Sequence, residues 1–311
     1  MNRREFHRKL AGAAMAGALA PAASSAQVSS SSSAPSQPAP LNVSIMLWTV
    51  FQRLPFEERL EKVYEAGYRN VELVGEFEKW SEADWRNALR KKRELGLTFD
   101  TTGGLRHASE KSGLADPAAR QAMLNDLRNI LPACERLECR RIILLSGNIV
   151  PGLSHEQQVQ SCIEGLKRAA EIVEGKDYEL LVENIDPEED PRYFLTSVAE
   201  GFKIIRAVNH PRVRFLYDFY HEQIAEGNLI QKLEQNIDLV GVCHVADVPG
   251  RHEPGTGEID YINIYKTLGR LNYPRYLAME FLPRRDPVRT LRIAREQALR
   301  AYASARQDAS A

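Results

Sequence analysis

Eight short apolar runs alternate with eight longer amphipathic segments between Leu41 and Ala305, and this alternation narrows the fold more than any other feature of the chain. The runs are Asn42–Trp48, Asn70–Val74, Thr98–Thr101, Arg141–Leu145, Tyr178–Glu183, Val213–Asp218, Val240–Val245 and Tyr276–Phe281. Between and after them the spacing predicts helices over Phe56–Ala66, Glu82–Leu95, Pro117–Leu137, His155–Glu174, Leu195–Val208, Ile224–Asn236, Ile262–Leu271 and Pro287–Ala305. Runs that are apolar on both faces and separated by helices imply a parallel sheet, because each crossover lays a helix over a strand face. Eight such units over residues 41–305 match the roughly 250 residues typical of a closed barrel. A doubly wound open sheet would carry G-x-G-x-x-G after its first strand, and that motif is missing here. The expectation is a single-domain (β/α)8 TIM barrel. Ser81, Ser154 and Asp116 stand where helix caps belong, and Gly67 and Gly96 where helices stop.

In that fold the reactive end is the C-terminal end of the strands. There the sequence places Glu72 on the second strand, Asp100 on the third, Glu183 on the fifth, Asp218 on the sixth, His244 on the seventh and Glu280 on the eighth. Three acids and a histidine from four consecutive strand ends converge on one axis, where like charges repel. A divalent cation keeps them ionised together. Three carboxylates and an imidazole form a hard-to-borderline donor set, favouring Mn²⁺ or Mg²⁺, with Co²⁺ or Zn²⁺ as alternatives. The competing reading is a salt-bridge network without an ion.

The seventh strand runs into a Pro/Gly-rich loop, and the whole stretch reads LVGVCHVADVPGRHEPGTGEIDY from Leu239 to Tyr261. Its polar residues are Asp247, Arg251, His252, Glu253 and Glu258. Arg251 either reaches the site or pairs with Glu253 or Asp247; His252 and Glu258 are expected to hold the loop. His107, in GGLRHASEKSG, is a candidate lid residue, and Glu72 and Glu76 either line the mouth or pair with lysines. Trp48 is expected either to wall a sugar ring or to pack in the core. No Ser/His/Asp or Cys/His arrangement supports nucleophilic hydrolysis.

Glu183 in LLVEN, the segment Asp218-Phe-Tyr-His221, His244 and Glu280 together resemble the site of the xylose isomerase-like barrel superfamily. The loop PGRHEPGTGEIDY resembles that of hydroxypyruvate isomerases in particular, and the resemblance spans roughly Leu41–Ala301. It implies metal ligands at Glu183, Asp218, His244 and Glu280, and substrate-oxygen contacts from His221 and Arg251. The chain departs from the pattern at His244, where hydroxypyruvate isomerases carry glutamine and ketose 3-epimerases of the superfamily carry histidine. The chemistry expected is metal-dependent isomerisation of a small hydroxy-carbonyl compound by enediolate proton transfer, with Glu183 and Glu280 as the acid–base pair. Ketose 3-epimerisation is the alternative. A barrel that binds sugar without turnover is the contrasting class, and an acid–base pair argues against it. The superfamily's tri-zinc endonucleases need many histidine ligands. This chain has 7 histidines, of which His7, His155 and His210 lie away from the strand ends.

Composition bears on partners. With 41 basic and 42 acidic residues the net charge is −1, so no global field draws nucleic acid or an anionic membrane. No run has the ~18 apolar residues of a membrane span, and assembly with further copies of the chain is left open. Cys134, Cys139, Cys162 and Cys243 form no C-x-x-C pair and are expected as buried free thiols. Residues 1–26 have a basic start with Arg3 and Arg4, an Ala-rich stretch and small residues near Ala22 and Ala26: the plan of a twin-arginine-type signal peptide for export to the periplasm. Residues 27–40 read as a Ser/Pro-rich linker and 306–311 as a disordered tail.

Overall fold

The chain divides into Met1–Pro38 and Ala39–Ala311; a computed structural model describes residues 41–103 and 113–308, all in the second unit. Eight parallel strands close into a barrel in sequence order: β1 (Asn42–Met46), β2 (Asn70–Leu73), β3 (Thr98–Thr102), β4 (Arg141–Leu145), β5 (Glu179–Glu183), β6 (Val213–Asp218), β7 (Val240–Val245) and β8 (Tyr276–Met279). Pairing of β1 with β8, Asn42 opposite Tyr276 through Ile45 opposite Met279, completes the ring. The barrel expected from the alternation is the fold observed.

Side chains of a strand alternate between its two faces. One set, Met46, Ile143, Leu181, Leu216, Val242 and Ala278, forms an apolar layer inside the barrel. The other set, including Val182, Phe215, Tyr217, Cys243, Val245 and Leu277, packs outward beneath the helices as part of the larger core. The inward layer fixes what lies above it. Two residues beyond Leu181, Leu216, Val242 and Ala278 stand Glu183, Asp218, His244 and Glu280, so the pleat aims all four into the C-terminal mouth. At the opposite end Glu179 accepts hydrogen bonds from Arg275 at 2.8 Å and Arg214 at 3.0 Å and forms an ion pair with Arg141 at 3.2 Å. Such a cluster at the N-terminal end reads as stabilisation rather than chemistry.

The helices are α1 (Phe56–Glu65), α2 (Glu82–Glu94), α3 (Arg120–Leu137), α4 (His155–Ile172), α5 (Val198–Val208), α6 (Phe219–Ala225), α7 (Leu229–Asn236), α8 (Tyr261–Arg270) and α9 (Pro287–Asp308). Ser81 and Ser154 both close capping boxes, with Asp84 and Gln157 as the reciprocal partners, an arrangement that typically stabilises a helix start by about 1 kcal/mol. Three expectations need correction. The segment Ile224–Asn236 is not one helix: Gly227 and Asn228 take left-handed backbone, with φ of 66° and 56°, and separate α6 from α7. Asp116 caps a turn through its bond to the Ala118 amide at 2.8 Å, so α3 begins at Arg120 and not Pro117. The C-terminal helix continues through residues 306–308, which were expected to belong to the tail. All four cysteines are buried and free, as expected. No helix among the described residues is long and apolar enough to cross a membrane.

Candidate active site

Each of the four strand-end residues arrives by a different device. Asp218 ends β6 and also caps α6: its Oδ1 accepts the amides of Tyr220 at 2.7 Å and His221 at 3.2 Å, leaving Oδ2 for the barrel axis. Glu280 follows β8 and is tied by its own amide to the Val245 carbonyl at 2.9 Å. The Trp48 indole donates to Glu280 Oε1 at 2.9 Å, which turns Oε2 toward the centre. Trp48 thus orients a carboxylate; neither of the two roles expected from the sequence described that. Glu183 closes β5, and His244 sits within β7, fully buried.

One ligand atom from each of Glu183, Asp218, His244 and Glu280 lies within 4.8 Å of all the others. His244 Nδ1 stands 2.9 Å from Glu280 Oε2, 3.4 Å from Glu183 Oε1 and 3.9 Å from Asp218 Oδ2. Although the first of these is short, it is not aligned as donor and acceptor. Asp218 Oδ2, His244 Nδ1 and Glu280 Oε2 are all buried without a hydrogen-bond partner. Buried polar atoms are normally satisfied, so three orphaned donor atoms aimed at one point fit a divalent cation. The donor set suits an ion taking oxygen and imidazole ligands.

Burial pushes the Glu183 carboxyl above the usual range, against the pull of His244. Burial acts the same way on Glu280, but Arg251 and His244 outweigh it and hold that carboxyl well below its ordinary value. For His244, burial favours the neutral ring and is overcome by Glu72 and Glu280, which raise it. Two neighbouring carboxyls pushed in opposite directions is a pattern that acid–base pairs show.

A second tier of residues faces the first. His221 lies on α6 with Nε2 3.5 Å from Asp218 Oδ2 and Nδ1 2.6 Å from Asp186 Oδ2. Burial would lower its pKa, yet Asp218 and Asp186 lift it to about 9. Arg251, in left-handed backbone with φ of 55°, places Nη2 2.9 Å from Glu280 Oε2 and Nη1 2.6 Å from Glu189 Oε2. It therefore reaches the site, not Glu253 or Asp247. Its guanidinium also lies 4.9 Å from the Tyr220 ring and 5.4 Å from that of Trp48. Asp186 and Glu189 escaped the sequence reading. The signal was there, in the acid-rich IDPEED that follows the fifth strand, but its spacing matches no ligand pattern.

Several expected residues lie elsewhere. Glu253 binds the Arg284 amide at 3.0 Å and fastens two loops outside the mouth. His252 donates to the Leu282 carbonyl at 2.8 Å and holds the loop as expected. Glu258 accepts from Gln223 at 3.0 Å, and Glu76 bonds the Val74 amide at 2.6 Å. Asp100 is not at the mouth: it accepts Ser44 Oγ at 2.5 Å, lower in the barrel. Glu72 neither lines the mouth nor meets a lysine; its Oε2 is 3.1 Å from His244 Nε2 inside the barrel. His107 lies outside the described residues.

Comparison with known proteins agrees with this fold. The family model for xylose isomerase-like TIM barrels matches residues 60–302. The 2-oxo-tetronate isomerase of Pectobacterium atrosepticum is 29% identical, covering 76% of this chain and 89% of its own length. The hydroxypyruvate isomerase of Escherichia coli is 28% identical over 78% of this chain and 94% of its own. Among solved structures, one titled AP endonuclease, family 2, from Brucella melitensis superposes with a TM-score of 0.73 at 27% identity, covering 81% of this chain and 96% of that one.

Proposed function

The chain belongs to the xylose isomerase-like TIM barrel family, and on that premise we propose that it is a divalent-metal-dependent isomerase of a short hydroxy-carbonyl acid, of the hydroxypyruvate or 2-oxo-tetronate kind. The observation that carries this is the convergence of Asp218 Oδ2, His244 Nδ1 and Glu280 Oε2, all buried and without a hydrogen-bond partner, beside Glu183. Both relatives are named for substrates that carry a 2-oxo group, a neighbouring hydroxyl and a carboxylate.

Glu183, Asp218, His244 and Glu280 would hold the ion, with Mn²⁺ or Mg²⁺ favoured by the three carboxylates. When bound, it supplies Lewis-acid polarisation of the carbonyl and offsets negative charge developing on the substrate oxygens. Glu183 and Glu280, from β5 and β8, flank the space between them. One removes the proton from the hydroxyl-bearing carbon; the C–H electron pair forms the carbon–carbon double bond and the carbonyl π pair passes to its oxygen, giving an enediolate. The hydroxyl proton passes to the former carbonyl oxygen as the partner glutamate returns a proton at the former carbonyl carbon, so the carbonyl and hydroxyl exchange places. Arg251 and protonated His221 present two cationic donors to the substrate's carboxylate and oxygens. Trp48 keeps Glu280 oriented through the reaction.

Histidine at position 244 favours ketose 3-epimerisation as the second reading, in which the proton returns to the same carbon from the opposite face. The endonuclease reading has less behind it, since the four-residue group contains one histidine and the net charge is −1. We further propose export through the twin-arginine-type N-terminus.

Assaying hydroxypyruvate, 2-oxo-tetronate and a panel of ketoses side by side, with Mn²⁺ and with chelator, tests the assignment. Turnover of a short 2-oxo acid that chelator abolishes is expected, with Glu183→Gln and Glu280→Gln each reducing it by at least ~10²–10⁴-fold. Full activity in either variant, or in chelator, would contradict the mechanism.

A further inference from the structure

Glu72 is a buried acid in contact with the site that the chemistry above does not use. It lies on β2, one residue before the strand's end, has no solvent exposure, and lies across the barrel interior from His244, since β2 pairs with β1 and β3 while β7 pairs with β6 and β8. Its Oε2 stands 3.1 Å from His244 Nε2, and its Oε1 has no hydrogen-bond partner. A buried carboxylate with one bond is an unfavourable packing element, and an apolar side chain of similar volume would fill the space better. Its placement makes sense only through what it does to the ring.

We propose that Glu72 is the positioning residue for His244, accepting the Nε2 proton and thereby fixing the tautomer that presents the Nδ1 lone pair to the centre between Glu183, Asp218 and Glu280. This rests on reading those four residues as a metal site. An imidazole that gives Nδ1 to a cation keeps its remaining proton on Nε2. In this fully buried ring the Nε2 proton meets Glu72 Oε2, while Nδ1 faces three carboxylates at 2.9, 3.4 and 3.9 Å. The hydrogen bond also fixes the ring plane, because it anchors the atom opposite the donor nitrogen. Carboxylate partners of ligating histidines raise ligand basicity and sharpen orientation in the same way.

Mn²⁺ titration of the full chain, with free Mn²⁺ read by electron paramagnetic resonance, compares wild type with Glu72→Leu and Glu72→Gln. Glu72→Leu, which removes the acceptor, is expected to weaken binding by about 10–100-fold. Glu72→Gln, whose amide oxygen accepts the same proton, is expected to recover most of that loss. A leucine variant that binds as wild type does, or a glutamine variant no better than leucine, overturns the proposal while leaving the metal site standing. A wild-type chain that binds no Mn²⁺ overturns the metal reading, and the positioning role falls with it. Should neither variant fold, histidine-¹⁵N NMR of the Zn²⁺-loaded wild type decides. The His244 ring, identified by its loss in His244→Gln, is expected to carry its proton on Nε2, and a proton on Nδ1 contradicts the assignment.

Discussion

Asp218 divides its carboxylate between two tasks: Oδ1 caps α6 and Oδ2 faces the axis. Such divided use explains how acids survive in the barrel without cancelling one another. Asp100 shows the other outcome. Burial lifts its carboxyl to about 6 despite the bonds from Ser44 and Thr101, so folding favours the protonated form. A carboxyl whose folded pKa exceeds its unfolded value adds stability below the unfolded value of 3.8 and loses it as pH rises through about 6. Asp100→Asn is therefore expected to be more stable than wild type at pH 7, by up to about 3 kcal/mol, with the gap closing toward pH 4. Thermal unfolding of both proteins across that range checks it; a gap that widens on acidification would contradict it. The strand-end site residues of β5 to β8 were legible because each stands two residues beyond an inward apolar residue. Asp100 was misplaced because the register between β2 and β3 shifts between Val71 and Glu72, which no local pattern announces. Glu72 was visible as a candidate, but its partner, 172 positions away, was not.

The loop from β7 to α8 is built on a single side chain. Asp247, fully buried, accepts five backbone amides: Val248 at 3.0 Å, Gly255 at 2.8 Å, Thr256 at 3.1 Å, Gly257 at 2.9 Å and Ile259 at 3.0 Å. Gly257 has no room for a side chain, since a Cβ there would lie 2.0 Å from the Val248 carbonyl oxygen. The same loop carries Arg251 to the site. Asp247→Asn replaces an acceptor atom by a donor facing those amides, and each buried donor left unpaired costs about 1–3 kcal/mol. The variant is expected to unfold at lower temperature and to exchange the amide protons of residues 255–259 faster than wild type. It should also lose turnover as Arg251 shifts. Unchanged exchange would show that the loop is held by other contacts. The sequence singled out the polar residues of this loop but gave Asp247 only the role of a possible partner for Arg251. A carboxylate gathering the amides of its own loop is written in three-dimensional closure, not in residue spacing. The break between α6 and α7 was missed for a related reason: the apolar periodicity continues through Gly227 and Asn228.

At the scale of the whole molecule, the barrel follows from the alternation of runs and helices, because an eight-unit parallel sheet with both faces covered has few other ways to close. The substrate does not follow, since it depends on a few contacts at the mouth. Residues 1–40, outside the described structure, carry the export proposal. Replacing Arg3 and Arg4 by lysine is expected to leave full-length precursor inside the cell, and unchanged export would reject the twin-arginine reading without touching the barrel. The central claim is proton transfer between two carbons by Glu183 and Glu280, and proton NMR of the reaction in D₂O tests it most directly. With the Mn²⁺-activated enzyme freed of paramagnetic ion before measurement, or with Mg²⁺, the product of a short 2-oxo acid is expected to carry solvent deuterium at the newly protonated carbon. Neither glutamine variant should incorporate it. Product that forms without deuterium would contradict exchangeable proton transfer and point to a hydride shift or a shielded proton.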